Sequence, residues 1–147
     1  MNTRKHIELS EYFCKLLEKD PEKAYKELCE LKNKYDMDFI SKVVNISHYC
    51  AYMGNLLHCV IYMVGDLVYE ESIEEDMYGT KNKISEELGI QFLEKLIEYN
   101  IDIHCNSYYN ENALECMNSH SYIKRKNNKK FKNKLMDYYI HELDKTL

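Results

Sequence analysis

Cys105, Cys116 and His120, with His104 beside the first, are the side chains whose types suit a zinc ion. A structural zinc site usually brings its ligands in pairs two to four residues apart. Only Cys116 and His120 come near that spacing, so no metal and no other cofactor is expected. Six cysteines and six histidines also allow a nucleophile–base pair on paper. No signature surrounds any of them, and such partners must meet in space rather than in sequence. Paired carboxylates for acid–base work could be drawn from Glu70 to Asp76. That chemistry needs two unequal, buried environments, whereas a dense acidic run is usually solvated. The glycines at 54, 65, 79 and 89 form no phosphate-cradling loop. The expectation is therefore a protein that is not an enzyme.

Charge clusters carry more information than candidate ligands. Asp66 to Glu87 contains eight acids and two lysines, although the chain's net charge is only −5. Its densest part, Glu70, Glu71, Glu74, Glu75 and Asp76, is flanked by Tyr69 and Tyr78. Complementary charge speeds encounter and adds specificity, and tyrosine supplies contact area with a polar handle. These seven residues are candidate contacts for a protein partner with a basic surface. Lys124 to Lys134 has the opposite character, with seven basic residues and no acid. Those charges could neutralise phosphates, but only Tyr122 and Phe131 stand near for base stacking. With a negative total charge, direct nucleic-acid binding is not expected, and the run reads as a solvated approach to the last helix.

A chain of 147 residues suits one domain spanning 1–147. The apolar fraction of 45%, with one proline and four glycines, suits long helices with few β turns. No apolar run reaches the length of a membrane span, and the N-terminus has no apolar signal core. The expected location is the cytoplasm. Cys14, Cys29, Cys50, Cys59, Cys105 and Cys116 are scattered and mostly beside apolar helical positions, which suits reduced thiols acting as small hydrophobes.

Helical spacing is found nearly throughout. Leu9, Phe13, Leu16 and Leu17 predict a helix over 7–18. Asp20-Pro21 is a cap followed by proline at the first helical position, opening a stripe of Ala24, Leu28 and Leu31 that ends near Tyr35. Ile40, Val43, Val44 and Ile46 are apolar with an ambiguous period. Leu57, Val60, Ile61 and Val64 predict another helix, and Ile90, Leu93, Leu96 and Ile97 a further one. Phe131, Leu135, Tyr139 and Leu143, at steps of four, predict a C-terminal capping helix over about 129–144. Asn100 tolerates the left-handed conformation that ends a helix. After it, Ile101 and Ile103 alternate with Asp102 and His104 as in a short extended segment. Ser107 to Asn112 is turn-prone, and Ala113, Leu114 and Met117 restart a helical spacing.

The order in Leu96 to Met117 resembles the ankyrin repeat, L-L-x-x-G-A-D-V-N, six turn positions, then T-P-L-H-x-A. Asn100 stands for the glycine, Asp102 and Ile103 match, and His104 stands for the asparagine. Asn112, Ala113, Leu114 and Glu115 occupy T-P-L-H, so the proline and histidine are lost. Gly54 to Val60 resembles the start of another repeat, with Leu57 and His58 at L-H. The resemblance implies that His58 bonds turn backbone. Leu57 and Leu114 lie 57 positions apart, against an ankyrin period of about 33. The excess would be an acidic insertion over about 65–87. Asp36 to Phe39, similar to Asn100 to Ile103, is a third and fainter trace. The implied fold class is all-α: a short ankyrin-like stack with helical caps. The resemblance also implies that Tyr108, Tyr109 and Asn110 form an exposed turn tip, where such proteins meet partners, and that Cys116 faces inward. The expected function is a non-enzymatic interaction module that binds and blocks a partner protein, as immunity proteins, phage-encoded inhibitors and viral host-interaction proteins do. The alternative is an acidic mimic occupying the basic channel of a nucleic-acid enzyme. Either fits a monomer or a homodimer, since the apolar end of a short stack can pair with itself.

Overall fold

The computed structural model describes residues 4–46, 54–64, 84–106, 110–119 and 129–146. It is all-α, with no strand among the described residues. The helices are α1 (Arg4–Lys19), α2 (Pro21–Glu30), α3 (Met37–Val44), α4 (Leu56–Val64), α5 (Glu86–Glu98), α6 (Ala113–Ser119) and α7 (Lys129–Thr146). A 3-10 turn, Leu31–Asn33, extends α2. No described helix is long and apolar enough to cross a membrane.

The starts of the helices follow local chemistry. Asp20 Oδ1 accepts from Lys23 N–H at 3.2 Å and Pro21 occupies the first turn of α2, where a missing N–H costs nothing. Asp36 Oδ1 accepts from Phe39 N–H at 2.8 Å, which settles the ambiguous segment after it as helix α3. Ser85 caps α5 through Leu88 N–H at 3.1 Å. Asn112 and Glu115 form a reciprocal capping box at the start of α6, with bonds of 2.9 and 3.0 Å.

The helices pack in two rows. α1, α4 and α6 touch in sequence along one row, and α2, α5 and α7 along the other. The rows are tied by the pairs α1/α2, α4/α5 and α6/α7, while α3 packs against α1. All nine residues of α4 are buried, as its place in the middle of one row requires. Where α5 crosses α4, a Cβ on Gly89 would lie 2.3 Å from Val64 Cγ2, so only glycine permits that approach.

Three expectations need correction. Leu143 is 56% exposed, while Phe131, Leu135 and Tyr139 are buried. Each step of four residues turns about 40° around a helix, so by its third step the stripe has left the buried face. Met37 to Phe39 is the first turn of α3, not an extended segment like that after Asn100. The lysines Lys129, Lys130, Lys132 and Lys134 lie within α7 itself rather than in a loop before it. The predicted alternation at Ile101–His104 holds in burial, with Ile101 and Ile103 each 4% exposed and Asp102 and His104 on the surface, although no ladder forms.

Candidate partner-binding site

Tyr69, Glu70, Glu71, Glu74, Glu75, Asp76, Tyr78, Tyr108 and Tyr109 lie outside the described residues, as do Tyr122, His120 and Cys50. What the structure does define is the support beneath the two segments that carry the first nine.

The support of the turn after α5 is built from three polar side chains of the preceding elements. Asn45, at the end of α3, clasps the turn with both ends of its amide. Its Nδ2 donates to Asn100 O at 3.0 Å, and its Oδ1 accepts from Asp102 N–H at 2.6 Å. Asn55, just before α4, donates from Nδ2 to Asp102 O at 3.0 Å. His58, in the first turn of α4, places Nε2 3.1 Å from Glu111 O at the far side of the turn. This is the backbone contact implied for His58. From α7, Tyr139 Oη donates to Ile103 O at 2.5 Å. Asn100 and Asn110 both take the left-handed conformation, with φ of 62° and 60°, which asparagine tolerates better than other residues with a Cβ. Asn110 is exposed, and its Oδ1 accepts from Asn106 Nδ2 at 3.0 Å.

The hydrogens in this network are unevenly supplied. Asp102 O takes one from Asn55, and Glu111 O takes one from His58. His58 Nδ1 then lies 3.1 Å from Asn55 Oδ1. A neutral imidazole has a single N–H, so while His58 is neutral these two acceptors face each other. Flipping Asn55 would set its oxygen against Asp102 O instead. A second proton on His58 would complete the chain, and the Glu111 bond and charge favour it. Burial opposes it and wins, holding the imidazole below its usual 6.5. Gly54 makes room for the ring, since a Cβ there would sit 2.4 Å from His58 Cγ.

This lowered value has a measurable consequence. The unfolded chain takes up the His58 proton at a higher pH than the folded one. Its contribution to stability is therefore present above pH 6.5 and lost as pH falls toward the folded value. Denaturant unfolding of the native chain should weaken more steeply between pH 7 and pH 5 than that of His58→Gln. Parallel curves would contradict this.

The acidic segment has a defined base. Ile84 N–H donates to Met63 O at 3.1 Å, so the chain leaves the end of α4 and returns to the same point after residues 65–83. Beside that base, Ile84, Glu87 and Leu88 share an open groove of about 760 Å³ with Asp20, Glu22 and Tyr25 of α2 and its cap.

The residues weighed for chemistry are dispersed. Cys116 is buried in the core, Cys105 is half-buried, and His104 is exposed with its ring edge-on to Tyr139 at 6.4 Å. Among the described residues no three His, Cys, Asp or Glu side chains gather as a metal set. Cys14 and Cys59 touch within the core at 3.6 Å as thiols. Phe131 is fully buried and has no face to offer a base, and Lys134 pairs with Glu94 at 2.8 Å. Asn45 and Asn55 escaped the sequence reading. Each resembles any loop asparagine, and its partner is backbone more than 45 residues away.

Compared with protein-family models, with curated proteins and with solved structures, the chain matches none.

Proposed function

We propose that this chain is a non-enzymatic interaction module, a short ankyrin-like stack that binds and blocks a partner protein. The observation that carries the reading is the turn from Asn100 to Asn112. Its backbone is held by side chains from three other helices or their ends: Asn45, His58 and Tyr139. A surface loop needs no such support merely to connect two helices. A loop that presents residues to a partner gains from it, because ordering before contact lowers the entropic cost of binding. Two further observations support the stack. The helix pairs α1/α2, α4/α5 and α6/α7 lie side by side in two rows, and His58 reaches the next turn as the resemblance implies. The closed base at Met63 and Ile84 supports reading 65–83 as an insertion within the α4/α5 pair.

On this reading Tyr108, Tyr109 and Asn110 form one contact, and Tyr69, Tyr78 and the acids at 70, 71, 74, 75 and 76 form the other. The partner is a protein with a basic surface. The test uses the full chain as bait in extracts of its native host, beside two folded variants: Tyr108→Ala/Tyr109→Ala, and the five acids changed to Asn or Gln. The expected result is a protein retained by the native chain and lost by one or both variants. A partner held equally by all three would show that the contact surface lies elsewhere.

A further inference from the structure

We propose that Cys14 and Cys59 are a peroxide-sensitive pair, forming a reversible disulfide that joins α1 to α4 across the core and stabilises the stack. Cys14 stands in α1 and Cys59 in α4, and these helices touch side by side in one row. The two sulfurs lie 3.6 Å apart. A disulfide bond is about 2.05 Å long, which leaves a gap of about 1.6 Å to close. That is within reach of side-chain rotation with a small approach of two packed helices.

Burial selects the oxidant. Cys14 is 4% and Cys59 0% exposed, so a bulky disulfide oxidant is kept from either sulfur. Hydrogen peroxide is small and uncharged, and brief local opening of a helix admits it. The attacking form is the thiolate. One sulfur, having lost its proton, attacks a peroxide oxygen and the O–O bond breaks. Hydroxide leaves and takes up the proton as water, and the sulfur becomes a sulfenic acid. The second thiol then attacks the sulfenic sulfur and the S–O bond breaks. A second water leaves with the remaining proton as the S–S bond forms. Two electrons pass from the sulfur pair to the peroxide. With the second thiol already at 3.6 Å, capture outruns a second peroxide, so oxidation stops short of irreversible sulfinic acid.

The bond would close a loop of 59 − 14 = 45 positions. Restricting the unfolded chain in this way favours the folded one, and longer loops gain more. After a discount for strain in the packed core, Tm should rise by roughly 5–10 °C. The link would tie the first helix pair to α4, which carries His58 beneath the turn. In a reducing compartment such a bond is a transient state rather than a permanent one.

The full chain is treated with hydrogen peroxide without denaturant, quenched with catalase, alkylated in denaturant and mapped by peptide mass spectrometry. The expected product is a linked Cys14–Cys59 peptide, lighter by two hydrogens than the two thiol peptides together. Tm should rise by roughly 5–10 °C, and dithiothreitol should reverse both changes. Cys14→Ala should gain no thermal stability from peroxide, while Cys29→Ala should gain as much as the native chain. Recovery of Cys14 and Cys59 as unmodified thiols, their conversion to sulfinic acid, or pairing with other cysteines would each overturn the proposal. So would a linked chain whose Tm is no higher than that of the reduced one.

Discussion

Replacing His58 with alanine is expected to lower the stability of the fold by about 3 kcal/mol, although the residue is polar. The side chain is 1% exposed, and both ring nitrogens sit 3.1 Å from an oxygen. Removing it leaves a space beside α4, the middle helix of its row, and removes the His58 bond to Glu111 O across the turn. Losing one hydrogen bond costs about 0.5–1.5 kcal/mol and a large-to-small change in a core about 2–5 kcal/mol. The space left by His58→Ala would be lined by the polar Asn55 side chain and Glu111 O, which a water entering it could bond, and this favours the lower half of the combined range. Exposed ion pairs provide the contrast. Arg4 and Glu8 are 92% and 68% exposed, and losing their bond should cost under about 0.5 kcal/mol. Urea unfolding of His58→Ala and Glu8→Gln checks both. Equal, small effects would mean that His58 fills space without tying the turn.

The second large effect belongs to Tyr99. It is fully buried at the junction between α5 and the turn, and its hydroxyl donates to Leu28 O at 2.7 Å. Burial pushes the phenol up to about 12, so it remains a neutral donor at any ordinary pH. Tyr99→Ala should cost about 3–5 kcal/mol, the range for emptying an aromatic site. Tyr99→Phe should cost about 1 kcal/mol or less. The small second figure follows from the acceptor: Leu28 O also receives the Leu31 N–H at the end of α2, so it is not stranded when the hydroxyl goes. The ratio of the two losses therefore separates packing from hydrogen bonding. If Tyr99→Phe proved as damaging as Tyr99→Ala, the bond to α2 rather than the ring would be the main support.

Much of the helical framework was legible because its signals are local. Asp20-Pro21 marks the start of α2 by cap chemistry alone, and Ala24, Leu28 and Leu31 name its buried side. The apolar spacing of Leu57 to Val64 suffices for α4. α3 was ambiguous because adjacent Val43 and Val44 fit either period, and the deciding bond comes from Asp36, outside the apolar run. Leu143 misled because a step-of-four row drifts around the helix as it lengthens. The candidate site was less legible. Resemblance pointed to His58, but nothing local distinguishes Asn45 or Asn55 from a solvated asparagine. Tyr99 lies off the row Ile90, Leu93, Leu96 and Ile97 read from the sequence, although it follows the buried Phe92 and Leu96 at i+7 and i+3, and its hydroxyl reaches the backbone of α2. In each case the partner is remote backbone, which no periodicity encodes.

Partner binding at the tip requires that the turn after α5 be a braced platform rather than a mobile connection. Amide hydrogen exchange of the full chain tests it at Asp102, whose N–H is bonded only by a side chain, Asn45 Oδ1 at 2.6 Å. The native chain should protect that amide strongly, although the Asp102 side chain is exposed. Asn45→Ala should abolish its protection while the amides of Leu93 and Leu96 in α5 keep most of theirs. Fast exchange at Asp102 in the native chain, or protection unchanged in Asn45→Ala, would contradict the braced turn and remove the main support for partner binding at its tip.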